Sequence, residues 1–261
     1  MTTHMAREVA QIPAVAARFL TESAPEVRRA AEAMRQAQPG LLVTVARGSS
    51  DHAATYLKYA AELLAGVPVA SVGPSVASIY RRPLRLGGAA CIGISQSGQS
   101  PDIVEMLRAA GQGGALTVAI TNQADSPMAA ASAHCLPLRA GTEQSVAATK
   151  TFVVSVLALA ALPRALEQAL ALDWGPLSAR LSRAQSAYVL GRGPAFAIAA
   201  EAALKLKETC GLHAESYSAA EVLHGPSAIV RAGFPVLALG VDDAALPQVV
   251  ATAERLAAQG A

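Results

Sequence analysis

The stretch Ala90-Cys91-Ile92-Gly93-Ile94-Ser95-Gln96-Ser97-Gly98-Gln99-Ser100-Pro101-Asp102 reads as a buried strand that stops in a hydroxyl-rich turn and opens a helix. Cys91, Ile92 and Ile94 make the short apolar run of a parallel strand covered on both faces. Ser100 followed by Pro101 is an N-cap with proline at the first helical position. The turn between them aims backbone N–H groups and the positive end of the helix dipole at one small volume. Ser95, Gln96, Ser97 and Ser100 add side-chain donors, and Gly98 lets the backbone approach closely. A phosphate monoester fits such a cradle. The same residues are also ordinary turn formers, with Ser100 only capping its helix, and the stretch by itself leaves both readings open.

Upstream, Leu41 to Ala46 is a second buried strand, running into Arg47-Gly48-Ser49-Ser50-Asp51 and then a helix through Tyr56, Leu57, Ala60 and Leu63. Val67 to Val72, Leu116 to Thr121 and His134 to Leu138 complete a set of five strands, with helices between most of them. This alternation predicts a doubly wound parallel sheet with ligands at the carboxyl ends of the strands, where both serine-rich turns lie. Residues 5 to 37 are expected to be covering helices, with Val9, Ile12, Val15, Ala16 and Leu20 on one face and a second helix from Ala24 to Ala37. Ala140 to Phe152 is polar and leads into an apolar helix, Phe152 to Leu162, whose N-terminus can face the same site. Thr142 or Ser145 is its expected cap, and Glu143 and Lys150 are read as solvated or paired structural charges.

Asp173-Trp174-Gly175-Pro176 breaks the pattern and divides the chain into residues 1–172 and 173–261. A helix to about Ala184 then leads into Ala187-Tyr188-Val189-Leu190-Gly191-Arg192-Gly193-Pro194, a strand and glycine turn that pairs with VTVARGSS as a short internal duplication. On the helix that follows, Glu201, Lys205 and Glu208 share one face. They read either as a surface charge ladder or as a partly desolvated general base with a lysine beside it. His224, before Gly225-Pro226, sits on a turn where imidazole is either exposed or in reach of a ligand.

Composition narrows the function. A net charge of +2 and 4% aromatic residues provide no basic stripe for nucleic acid. The longest apolar run is too short to span a bilayer, and the N-terminus carries no secretory signal pattern, so the chain is expected in the cytoplasm. Cys91, Cys135 and Cys210 form no disulfide framework, and His4, His52, His134, His213 and His224 show no zinc-type spacing, so no metal is expected.

RGSS, ISQSGQS, AGTEQSVAATKTF and LGRGPAFAIAAEAALKLKETCGLHAESYSAAEVLHGP, in this order and spacing, resemble the sugar isomerase (SIS) domain pair of glucosamine-6-phosphate synthase and its stand-alone deaminase relatives. The resemblance implies two tandem SIS domains, each a flavodoxin-like, doubly wound five-stranded parallel sheet. It also implies a homodimer with the active site shared between subunits, and no cofactor. It places Ser50, Ser95, Gln96, Ser97 and Ser100 on the sugar phosphate, with Gly48, Ser49 and Val146 beside them. Glu208 is implied as the base moving a proton between C1 and C2, Lys205 as its electrostatic companion, and His224 as the residue assisting ring opening from the neighbouring subunit. Ala148 stands where the synthase motif often has serine. Family members continue beyond the equivalent of Ala261 to a lysine-bearing tail, so the second domain is expected to be incomplete.

With no glutaminase segment in the sequence, the reaction expected is the catabolic one: glucosamine 6-phosphate plus water giving fructose 6-phosphate and ammonia. A fructosamine-6-phosphate deglycase, another amino-sugar phosphate deaminase, and a non-catalytic sugar-phosphate sensor are the alternatives. The absence of a helix-turn-helix extension and the presence of Glu208 and His224 weigh against the sensor.

Overall fold

Leu41–Val45 (β1), Val69–Ser71 (β2), Ala89–Ser95 (β3), Leu116–Thr121 (β4) and His134–Pro137 (β5) form a parallel sheet in the order β2-β1-β3-β4-β5. The computed structural model describes residues 3–158 and 175–261. The sheet belongs to the first of two compact units, Met1–Leu170 and Ala171–Ala261. All seven residues of β3 are buried, because neighbouring strands flank it and helices cover both faces.

Alternation along the strands sorts the core into two layers. Leu42, Ala90, Ile92, Ile94, Val118 and Ile120 face Phe19, Ala53, Leu57 and Val154. These belong to Ile12–Glu22 (α2), Ser49–Ala65 (α4) and Lys150–Leu157 (α8). Val43, Val45, Cys91 and Ala119 face Ile103, Met106, Leu107 and Met128, from Pro101–Gln112 (α6) and Pro127–Ala130 (α7). Each large aliphatic side chain so buried contributes about 1.5–3 kcal/mol. Gly93 lies on the α6 face, where a Cβ would collide with Leu107, so this glycine sets how closely α6 approaches the sheet. The helix after β1 covers one face and the helix after β3 the other. The crevice between these adjacent strands is therefore the switch point of the winding.

Three helices precede the sheet: His4–Ala10 (α1), α2, and Ala24–Ala37 (α3). The apolar face expected from Val9 to Leu20 is carried by Ile12, Val15, Ala16 and Phe19. Leu20 is exposed, and the buried residue of α1 is the charged Glu8. Ser75–Ser78 (α5) is a single turn between β2 and β3. The apolar helix expected to run to Leu162 is described as far as Leu157, and residues 159–162 lie outside the described residues, as do Asp173 and Trp174.

In the second unit, Gly175–Leu181 (α9) is followed by Ser186–Gly191 (β6), Pro194–Cys210 (α10), His213–Ser218 (β7), Val236–Ala238 (β8) and Leu246–Ala258 (α11). The strands pair in parallel in the order β7-β6-β8. Among the described residues this sheet has three strands and not the five expected of each domain, because only three segments between Ser186 and Ala238 pair. β7 carries no period-2 apolar signal, since Ala214 alone is fully buried along it, and the sequence did not mark it as a strand.

The duplication suggested by VTVARGSS and AYVLGRGP has a geometric counterpart. Gly48 (φ 56°, ψ −133°) precedes α4 and Gly193 (φ 59°, ψ −138°) precedes α10, both in a conformation that L side chains avoid. No atom lies within 4 Å of a Cβ at either position, so backbone conformation and not space demands glycine there. Both helices are 17 residues long and end at a left-handed glycine, Gly66 and Gly211.

Candidate functional site

The turn after β3 is held almost wholly by its own backbone and short side chains. Ser95 Oγ accepts from the Gly98 amide at 3.2 Å, and Ser97 Oγ from the Gln99 amide at 3.2 Å. The Gln96 carbonyl accepts from the Asn122 amide at 3.0 Å and from Thr121 Oγ1 at 3.2 Å, which ties the turn to the end of β4. Gly98 has φ 62°, and a Cβ there would strike Ser126 and Thr121.

Ser100 occupies the N-cap of α6 with Pro101 in the first turn, but its hydroxyl caps no amide. Asp102 takes part of that role, accepting from the Ile103 amide through Oδ1 at 3.0 Å. Capping thus leaves the Ser100 hydroxyl to the crevice, which favours the ligand reading of the turn over the structural one.

Arg47, Ser49, Ser50, Ile94, Ser95, Gln96, Ser97, Ser100, Ile103 and Ala148 line one cavity of about 250 Å³. The N-termini of α4 and α6 open on it from adjacent strands, each bringing a partial positive charge of about half a unit. Hydroxyls, an amide side chain and two helix dipoles in one volume suit a small, tetrahedral, multiply charged anion. Burial raises the Asp51 carboxyl above its ordinary value, with the neighbouring His52 charge opposing. The Cys91 thiol, buried behind the cradle, is pushed up to about 12 by desolvation and is inert as a nucleophile near neutral pH.

The segment between β5 and α8 closes over the turn and is held by two carboxylates. Glu143 Oε1 accepts from the Thr149 amide at 2.7 Å, the Lys150 amide at 2.6 Å and Thr149 Oγ1 at 3.2 Å. Its Oε2 accepts from Thr151 Oγ1 at 2.6 Å and from Gln96 Nε2 at 3.1 Å. The cap of α8 is therefore Glu143, and not Thr142 or Ser145. Glu8 accepts from the Gln144 amide at 2.6 Å, the Ser145 amide at 3.2 Å and the Ser145 hydroxyl. Burial pushes the Glu8 carboxyl up, but these hydrogen bonds and the Lys150 charge outweigh it, and the net shift is downward. Lys150 is only 2% exposed, and its Nζ donates to the Thr142 carbonyl at 2.8 Å and Gln11 Oε1 at 3.0 Å. Glu143 and Lys150 thus serve structurally, each held by neutral hydrogen-bond partners. Val146 stands at the tip of this segment, 88% exposed, and does not line the cavity.

In the second unit, Lys205 Nζ lies 2.8 Å from Glu201 Oε1 and 3.1 Å from Glu208 Oε2. Glu201 is buried and Glu208 is exposed, so the group is not a solvated ladder but a lysine anchored at the buried end and presenting a carboxylate at the other. His224 ends a 3-10 turn, Glu221–His224, and is exposed. Tyr217 Oη donates to Glu215 Oε2 at 2.7 Å; this bond and burial push its pKa up to about 12, which removes it as a base near neutral pH. A larger cavity of this unit, about 820 Å³, lies between α9 and the end of α10, and none of Lys205, Glu208 or His224 lines it.

Sequence reasoning passed over three contributors to the cradle's edge. Arg47 and Asp102 join the ends of β1 and α6 across the crevice, with Arg47 Nε donating to Asp102 Oδ2 at 2.7 Å. Asn122 Oδ1 accepts from the Ala140 amide at 2.7 Å while its Nδ2 donates to the Gly141 carbonyl at 2.8 Å. Each lies just beyond the carboxyl end of a predicted strand or in a first helical turn, the position that could have marked them.

The sheet order and the cradle define a doubly wound α/β protein with anion-binding geometry at its switch point. The chain belongs to the SIS domain family, whose model matches residues 37–163 and 180–261. It is 36% identical over 242 residues to the glutamine–fructose-6-phosphate aminotransferase (isomerizing) of Pyrobaculum aerophilum, a match covering 83% of this chain and 40% of that protein. The chain thus spans about two fifths of the length of that curated relative. A crystal structure from Silicibacter pomeroyi, of a protein provisionally described as a phosphosugar isomerase, superposes with TM-score 0.94 at 51% identity, covering 99% of this chain and 84% of that one. The C-terminal domain of glucosamine-fructose-6-phosphate aminotransferase from Francisella tularensis superposes with TM-score 0.82 at 27% identity, covering 100% of this chain and 82% of that one. Among the described residues no helix is long and apolar enough to cross a membrane.

Proposed function

We propose that this chain holds a six-carbon sugar 6-phosphate in the cradle of Gly48, Ser49, Ser50, Ser95, Gln96, Ser97 and Ser100, and converts glucosamine 6-phosphate and water to fructose 6-phosphate and ammonia. The observation that carries the reading is the Ser100 hydroxyl, left uncommitted by its helix in a crevice where two helix N-termini meet. The relative from Pyrobaculum aerophilum is named for moving an amino group from glutamine to fructose 6-phosphate with isomerisation, and the changes at the sugar carbons, run backwards with water in place of an amino-group acceptor, release ammonia.

In this reading the two units are tandem SIS domains. The phosphate anchors the sugar without entering the bond changes. His224 passes a proton to the ring oxygen as the C1–O5 bond breaks and recovers one from the C1 hydroxyl, leaving the open-chain aldehyde. Glu208 removes the proton from C2 of the open aldose, giving an enolamine, and returns it to C1 to leave a C2 imine. Water adds at C2 and ammonia departs. Lys205, held by buried Glu201, lies beside the Glu208 carboxylate and stabilises the negative charge that develops on the substrate. Two copies assemble as a homodimer with the site shared between them, and Val146 contributes through the loop it tops.

The test is ammonia release and fructose 6-phosphate formation from glucosamine 6-phosphate, with galactosamine 6-phosphate and a fructosamine 6-phosphate in parallel, for the wild type and Glu208→Gln. Turnover lost by at least a hundredfold in Glu208→Gln, with sugar-phosphate affinity retained, is the expected result. Binding of all three compounds without turnover of any would overturn the enzyme reading in favour of a sensor.

A further inference from the structure

Among the described residues lining the cradle, Arg47 carries the one charged side chain; the others are serines, a glutamine, isoleucines and an alanine. A phosphate monoester is close to a dianion at neutral pH. Hydroxyls and helix termini supply hydrogen bonds and partial charges, which bind a monoanion of the same shape almost as well. A full cation at the rim is what separates two charges from one.

The guanidinium is set for this by the pair it makes. Both Nε and Nη2 of Arg47 donate to Asp102 Oδ2, which leaves Nη1 outside the pair. The other carboxylate oxygen of Asp102 is fixed on the Ile103 amide of its own helix. Asp102 is thus a rigid platform at the start of α6, and Arg47, coming from the end of β1, is pinned to it across the crevice. The Arg47 side chain is 62% exposed, so the pair adds little to stability.

We propose that Arg47 contacts the ligand's phosphate and sets the preference of the site for phosphomonoester dianions, with Asp102 as its positioning residue. The proposal rests on the sugar-phosphate reading of the cradle and deepens it. Calorimetric titration with glucosamine 6-phosphate, glucosamine 6-sulfate and glucosamine compares two, one and no negative charges on one scaffold. The wild type is expected to bind the phosphate at least tenfold more tightly than the sulfate. Arg47→Gln should lower phosphate affinity by about 10–100-fold and sulfate affinity by markedly less, collapsing the ratio, while Arg47→Lys, which keeps the charge, should restore most of it. Thermal unfolding of each variant serves as the folding check. A phosphate-to-sulfate ratio within threefold of wild type in a folded Arg47→Gln would show that Arg47 is only half of a surface ion pair. A wild type that binds neither anion would overturn the cradle reading itself, an outcome distinct from that one, and this proposal with it.

Discussion

Removing the Glu143 carboxylate is the most informative single change in the first unit, because five donors converge on it. Two of these are the Thr149 and Lys150 amides at the start of α8, and losing their cap costs about 1 kcal/mol. Loss of a negative charge at that helix terminus adds about 0.5 kcal/mol. The Thr151 hydroxyl and the Gln96 amide each lose a bond worth about 1 kcal/mol, with water recovering part because Glu143 is only half-buried. Glu143→Ala should therefore destabilise the closed arrangement of residues 141–151 by about 3 kcal/mol, or roughly a hundredfold in its opening equilibrium. Glu143→Gln keeps one acceptor oxygen and should lose about half as much. Hydrogen–deuterium exchange of peptides spanning 141–157 measures this directly, since the Thr149 and Lys150 amides exchange through local opening. Sugar-phosphate affinity should fall in parallel as Gln96 is released. Exchange within threefold of wild type in Glu143→Ala would refute the assignment of Glu143 as the cap and brace of this segment.

Two further tests follow from the same unit. Gly98→Ala forces a left-handed backbone on an L residue and drives a Cβ into Ser126 and Thr121; it should cost about 2–4 kcal/mol and weaken sugar-phosphate binding at least tenfold, read by denaturation and titration together. Because the Glu8 carboxyl lies below its ordinary value of 4.5 in the folded chain, its tie to Gln144 and Ser145 contributes in full above that value and is lost as pH falls through the lower, folded one. The stability difference between wild type and Glu8→Gln should accordingly be largest near pH 7 and shrink below pH about 4, and a difference that grows on acidification would reverse the assigned sign.

The first sheet was legible because β1, β3 and β4 are apolar runs bounded by glycine, serine and proline, and their burial on both faces is written in the composition of each run. The same local rule missed β7, whose residues HAESYS pair at a sheet edge with little burial. It also put the cap of α8 on a hydroxyl, Thr142 or Ser145, whereas the carboxylate of Glu143 between them reaches the helix amides. Leu20 and Phe19 exchanged roles for a related reason: one residue of rotation about α2 decides which of two neighbouring apolar side chains meets the sheet.

What the amino-acid order determined by itself is the alternation of strands and helices, the glycines at Gly48, Gly98 and Gly193, and the two serine turns, because these follow from backbone conformation and from periodicities a few residues long. The tertiary structure alone decided that Glu8 and Glu143 brace the same segment, that Arg47 is pinned to Asp102 across the crevice, and that Glu201 is buried beneath Lys205. Those pairings join residues up to 137 positions apart, and a carboxylate or guanidinium chooses its partner by distance and desolvation, which the folded sheet sets and the local sequence does not.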